Sequence, residues 1–331
     1  MNSDPHASIA PLSLADVSFI GSRLARPECV LCTSAGDTFA ADRRGGVAHI
    51  APDGEQHLYA GATFDLSVPL MPNGIALDRD GSFLVTHLQD GDGGLFRLHR
   101  DGRVIPVLRD VDGVRLHVSN FVLLDARGRI WVTVSTRLCP RIEAFRPGVA
   151  DGYIVLIDRC GARIVADGLA FANECRIDPS GQWLYVNETC GPRLTRFRLS
   201  ETGDLTGRET VTEFGAGEFP DGMAFDVDGG LWITCIVSNR LIRVGANGAP
   251  VTLLEDNNAA HVAEVAAAFH DSRLDRTLLE RNSASKLAHL SSIAFAGVEL
   301  DRACFGVILG DRLPVVPMPV RGVAPVHWQW R

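Results

Sequence analysis

Lysine is almost missing: Lys286 is the sole lysine in 331 residues, so nearly all 32 basic residues are arginine. That is a compositional bias without functional content. Basic residues are outnumbered by 40 acidic ones, the formal net charge is -8, and no basic block exists. This argues against a nucleic-acid partner, which would need clustered positive charge. No run of about 18 apolar residues occurs, so no membrane-spanning helix is expected. The first 21 residues lack a basic start, an apolar stretch and a small-residue cleavage site, so they do not read as a secretory leader. Eight cysteines are scattered, mostly within apolar runs, as buried free thiols are. Cys29 and Cys32 form a C-x-x-C, but no second pair or nearby histidine completes a zinc set. A reducing, cytoplasmic setting is the expectation. The G-x-S-x-G elbow of serine hydrolases is absent, and the Gly-rich run at 90–94 lacks the strand–helix context of a phosphate loop.

What is present is glycine, 33 residues, together with 46% hydrophobic and 22% charged residues. That composition suits a large core cut by many tight turns. One pattern recurs. A short apolar strand is followed by Asp-x-x-Gly or a similar turn, then by a strand rich in Trp, Phe, Val and Thr, as in FVLLDARGRIWVTV (121–134) and MAFDVDGGLWITC (223–235). Further strands follow each pair, giving a four-stranded unit. The units begin at residues 28, 73, 120, 173, 221 and 291. Repeated four-stranded units of about 40–50 residues predict an all-β, six-bladed propeller, here one domain over 1–331. The sixth unit has no clear fourth strand. The segment DVSFIG (16–21) resembles the other fourth strands and is expected to close the last blade, hiding a sheet edge. The long final step holds an Ala-rich stretch with Val262, Val265 and Phe269 at helical spacing. It predicts a helical insertion at about 259–283, either a packing insert or a lid.

The innermost strands of a propeller surround its channel, so their first residues converge. In order these are Glu28, Asn73, Asn120, Asn173, Asp221 and Ser291. All carry a side-chain oxygen and all interrupt an apolar pattern. Turn chemistry accounts for Asn73-Gly74 and partly for Asp221-Gly222, but not for Glu28, Asn120-Phe121 or Asn173-Glu174. Two carboxylates and several amide oxygens on one axis suggest a hard cation such as Ca²⁺. Without one, Glu28 and Asp221 would repel each other.

These residues, in the stretches RPECVL, MPNGIALDRDGSFLVT, SNFVLLDARGRIWVT, ANECRIDPSGQWLYVNET and FPDGMAFDVDGGLWITC, resemble the SMP-30/gluconolactonase/LRE-like family of six-bladed propellers. The resemblance spans about residues 15–255. It implies one divalent cation held by Glu28, Asn173 and Asp221, with Asn120 contacting substrate, a water on the metal, or the metal itself. Ca²⁺ is the first expectation; Mg²⁺, Mn²⁺, Zn²⁺ or Fe²⁺ suit similar sites. It further implies hydrolysis of a lactone, foremost a sugar lactone, with Asp221 as general base. His117 is a candidate to line the substrate pocket. Two departures stand out: Glu174 follows Asn173 where many relatives have Gly, and Val118 takes the place of an Arg found in several sugar lactonases. The alternatives are a metal-dependent esterase or phosphotriesterase, a non-catalytic binding propeller, and a strictosidine-synthase-like protein echoed by YVNET and TRFRL.

Overall fold

The structure, a computed structural model, describes residues 9–62, 68–281 and 283–330. Residues 1–8, 63–67, Asn282 within the expected insertion, and Arg331 lie outside the described residues.

Six four-stranded antiparallel sheets form the molecule. Their innermost strands are Val30–Cys32, Pro72–Leu77, Ser119–Leu124, Ala172–Ile177, Glu218–Phe225 and Leu290–Ala296. Each touches the next, and the first touches the last, so the sheets close as a ring of six blades around a channel. The predicted architecture therefore holds. A further two-stranded hairpin, Asp110–Val111 with Val114–Arg115, sits between the second and third blades in sequence.

The turn from first to second strand explains why the repeat is so visible. In four blades Asp78, Asp125, Asp178 and Asp226 accept, at the backbone carbonyl, the N–H of a glycine three residues on, at 2.9–3.1 Å. Those glycines have φ between +72° and +82°, a region that suits a residue without Cβ. The carboxylates stitch the next strand down. Asp125 accepts from Trp131 Nε1 at 3.0 Å, and Asp226 accepts from Trp232 Nε1 at 2.8 Å. Both tryptophans are fully buried, so their ring N–H groups need such partners.

The last blade is completed from the other end of the chain. Its outer strand is Ser18–Ile20, paired antiparallel with Leu313–Pro317 in the register Ser18↔Val315 and Ile20↔Leu313. Before this blade lie helix α1, Ala259–His270, and the single turn α2, Arg276–Leu279. Asn258 caps α1, its side chain accepting from the N–H groups of Ala260 and His261. Val265, Ala268 and Leu279 pack with Phe145, Phe171, Phe219 and Ile236 in one apolar cluster at the channel mouth. Val262 and Phe269 sit at its edge.

The C-x-x-C pair is built into this frame as two buried free thiols, with Cys32 in the innermost strand of the first blade and Cys29 just before it. No helix among the described residues is long and apolar enough to cross a membrane.

Candidate active site

The ring residues break the apolar pattern because the backbone bulges there. In blades two to six the pairing of innermost and second strands skips once, between Pro72 and Ile75, Ser119 and Phe121, Ala172 and Cys175, Pro220 and Met223, and Leu290 and Ile293. Each skip contains the ring residue. A bulge re-aims a side chain and leaves backbone groups unpaired. Threonines of the second strands satisfy the freed N–H groups: Gly74 donates to Thr86 Oγ1 at 2.8 Å, Phe121 to Thr133 at 3.1 Å and Gly222 to Thr234 at 2.9 Å. Gly74 and Gly222 therefore belong to bulged strands rather than to turns. They are glycine because the neighbouring blade is in contact: a Cβ on Gly74 would lie 2.6 Å from Phe121 Cα.

Five of the six ring residues, Glu28, Asn73, Asn120, Asn173 and Asp221, line one cavity of about 60 Å³ at the end of the channel where these strands begin. All five are buried. Ser291 is not part of the lining. Its hydroxyl donates to the Glu28 carbonyl at 2.9 Å and so joins the sixth blade to the first. His117 does not line this cavity either. It is half-buried just before the innermost strand of the third blade, and its carbonyl accepts from Ser119 Oγ at 3.3 Å.

Most of these donors are held by neighbouring groups. Thr189 Oγ1 donates to the Pro220 carbonyl at 2.7 Å and accepts from Asn173 Nδ2 at 2.9 Å. This fixes the amide, and Asn173 Oδ1 is left buried without a hydrogen-bond partner. Asn120 Nδ2 donates to Ser135 at 3.0 Å, while its Oδ1 accepts from Asn73 Nδ2 at 3.3 Å. Arg26 sits across the ring, ion-paired with Glu28 and donating to Asn73 Oδ1 at 2.9 Å. Burial, then the charges of Glu28 and Glu174, push the Asp221 carboxyl well above the usual carboxylate range. Glu174, the departure from the family pattern, is not part of the cavity wall. It is ion-paired with Arg176 at 2.8 Å and accepts from the Met223 N–H at 3.3 Å, and its own carboxyl is raised chiefly by burial.

Among the described residues no three His, Cys, Asp or Glu side chains cluster as a metal site. The donor set is instead two carboxylates with amide oxygens. It suits a hard divalent cation: Asn173 presents an unpaired acceptor, and Glu28 and Asp221 share a cavity where their charges oppose each other.

Sequence reasoning did not find several lining residues. Arg141, Ile142 and Phe145 come from the loop between the second and third strands of blade three, and Arg276, Leu279 and Glu280 come from α2 or just after it. His289, also in the wall, precedes the last blade, and burial draws its pKa from 6.5 to about 4.

Six four-stranded blades around a channel, with carboxylate and amide oxygens gathered at one end, define a six-bladed β-propeller with a polar cavity on its axis. Within that class, residues 21–266 match the SMP-30/Gluconolactonase/LRE-like region, and the chain belongs to that family. It is 27% identical over 192 residues to 6-deoxy-6-sulfogluconolactonase of Pseudomonas putida, covering 51% of this chain and 62% of that protein. It is also 27% identical over 171 residues to Protein STRICTOSIDINE SYNTHASE-LIKE 4 of Arabidopsis thaliana, covering 50% and 44%. Each match thus spans less than two thirds of the curated relative. Among solved structures, regucalcin of Agrobacterium tumefaciens, a calcium-binding protein, superposes with a TM-score of 0.67 at 16% identity, covering 98% of this chain and 99% of that one.

Proposed function

We propose that this protein is a metal-dependent lactonase that opens a lactone, foremost a sugar lactone, at the polar end of its channel. The observation that carries the reading is the convergence of Glu28, Asn120, Asn173 and Asp221, from four different blades, on one buried cavity. Family membership and the sulfogluconolactonase relative support the lactone as substrate. Glu28, Asn173 and Asp221 would hold a divalent cation, with Asn120 beside them. An all-oxygen set and the likeness to a calcium-binding propeller favour Ca²⁺. Bound there, such an ion supplies polarisation of a carbonyl oxygen and a lowered pKa for an attacking water.

The chain's own groups do the rest. Asp221 takes the water's proton at its carboxylate and returns it to the leaving ring oxygen. Asn120, anchored by Ser135, orients the substrate with its amide. Arg26 fixes the Glu28 carboxylate and the Asn73 amide. Phe145, Phe171, Ile236 and Ile308 in the wall keep bulk water from the reacting bond.

The test is metal analysis joined to a substrate panel of sugar lactones, aliphatic lactones, aryl esters and a phosphotriester, with and without EDTA. Lactone turnover that EDTA abolishes and Ca²⁺ restores is expected. Asp221→Asn should lower kcat by roughly 100- to 10,000-fold. Unchanged activity in EDTA, or phosphotriester turnover far above lactone turnover, overturns the reading.

A further inference from the structure

Three guanidinium groups, Arg26, Arg141 and Arg276, line the same cavity as the ring. Two of them have acidic partners: Arg26 is ion-paired with Glu28, and Arg276 Nε lies 3.7 Å from Glu280. Arg141 has none. Among the described residues no carboxylate comes within 4.0 Å of its guanidinium, although the loop that carries it is well anchored. Its backbone N–H donates to Asp90 Oδ1 at 3.2 Å and its Nη1 to the Leu88 carbonyl at 3.1 Å. Among the described residues its Nε and Nη2 make no further hydrogen bond. Burial, joined by the like charges of Arg26 and Arg276 and opposed by those of Asp90 and Glu28, draws its pKa down to about 10.

A guanidinium that lines a cavity with free N–H donors and no carboxylate in contact is suited to receive an anionic ligand. The remaining acids in the wall cannot serve as the counter-charge. Glu28 and Glu280 belong to the other two arginines, and Asp221 is assigned to the cation. With a divalent cation bound, the wall carries more positive than negative charge.

We propose that the substrate is anionic: a lactone bearing a carboxylate, sulfonate or phosphate substituent, which Arg141 receives in the cavity. The proposal rests on the lactonase reading above for the reacting group, but not for the charge. A guanidinium suits such an oxyanion because it offers paired N–H donors in a fixed fork. Arg141 binds substrate and takes no part in the proton transfer.

Two arms test this on the metal-loaded protein. The first compares kcat/KM for two six-carbon sugar lactones of the same ring, one with a hydroxymethyl and one with a carboxylate at C6, in wild type, Arg141→Gln and Arg141→Lys. The acidic lactone should be preferred. Arg141→Gln should lower its kcat/KM by about 10- to 100-fold, chiefly through KM, and lower that of the neutral lactone much less. Arg141→Lys should retain part of the preference. The second arm measures binding of the methyl glycosides of the hexose and of its uronic acid, which cannot be hydrolysed. Uronoside binding that Arg141→Gln weakens supports the anionic class even if no lactone turns over, in which case only the lactonase reading fails. Equal binding of the two glycosides, or uronoside binding that Arg141→Gln leaves unchanged, overturns the proposal. Unfolding curves of the three proteins separate a folding defect from a lost contact.

Discussion

Replacing Asp226 with Asn changes almost no volume, yet the structure predicts a loss of about 2–4 kcal/mol. Asp226 is fully buried. Its Oδ1 accepts from the N–H groups of Asp228 at 3.0 Å and Gly230 at 2.7 Å. Its Oδ2 accepts from Trp232 Nε1 at 2.8 Å and Arg243 Nε at 2.7 Å. All four partners are donors. A carboxylate can meet them with two acceptor oxygens, whereas an amide has one oxygen and one NH₂. In either orientation the NH₂ faces two donors, which are left without an acceptor. Each buried donor so stranded costs about 1–3 kcal/mol. Arg243 recovers some of this from water, since its side chain is 18% exposed. Asp226→Ala strands all four and leaves a void, so about 3–5 kcal/mol is expected. Urea unfolding at pH 7, followed by tryptophan fluorescence, measures both variants. Asp226 lies just beyond the far end of the strand that carries Asp221, so the kinetic constants of the folded variants should stay close to wild type. An Asp226→Asn variant within about 0.5 kcal/mol of wild type would refute the reasoning, because it would mean that the donors find other acceptors.

Two more predictions concern acid and packing. His87, His289 and His327 are held neutral by burial, with pKa values lowered from 6.5 to about 4. The unfolded chain binds protons at these sites first, so stability should fall as pH drops from 6.5 towards 4, by up to about 3 kcal/mol per histidine. A urea midpoint constant between pH 7 and 5 would contradict this. A Cβ on Gly306 would overlap the Glu28 carbonyl oxygen, so Gly306→Ala should displace Glu28, cost about 1–3 kcal/mol and weaken Ca²⁺ binding in a calorimetric titration. Wild-type Ca²⁺ affinity in the Gly306→Ala variant would show that Glu28 tolerates the shift.

Blade number and blade starts were legible because one turn is spelled out again and again. Asp125 and Asp226 bind the same backbone and tryptophan N–H groups in different blades, so the same letters return at the same spacing. The ring was legible for a related reason, since polar residues at equivalent bulges stand out from apolar strands. What stayed hidden depends on contacts far apart in sequence. Nothing local shows that the Ser291 hydroxyl is used by Glu28, or that Arg141 and Arg276 enter the cavity from a loop and an inserted turn. His117 stands three residues before Asn120 in sequence. Asn120 lines the cavity and His117 does not, and nothing local to the two residues shows it. The Asn-Gly and Asp-Gly pairs suggested turns, whereas the close approach of adjacent blades is what requires glycine there.

The pairing of Ser18–Ile20 with Leu313–Pro317 sets an order for assembly. During synthesis Ser18–Ile20 waits, without its partner, until Leu313–Pro317 has left the ribosome. Five blades can form from neighbouring segments as they emerge, but the sixth cannot be finished until two segments almost 300 residues apart meet. A nascent chain stalled before residue 313 would therefore hold an incomplete circle with raw strand edges, and would need shielding from its neighbours until release.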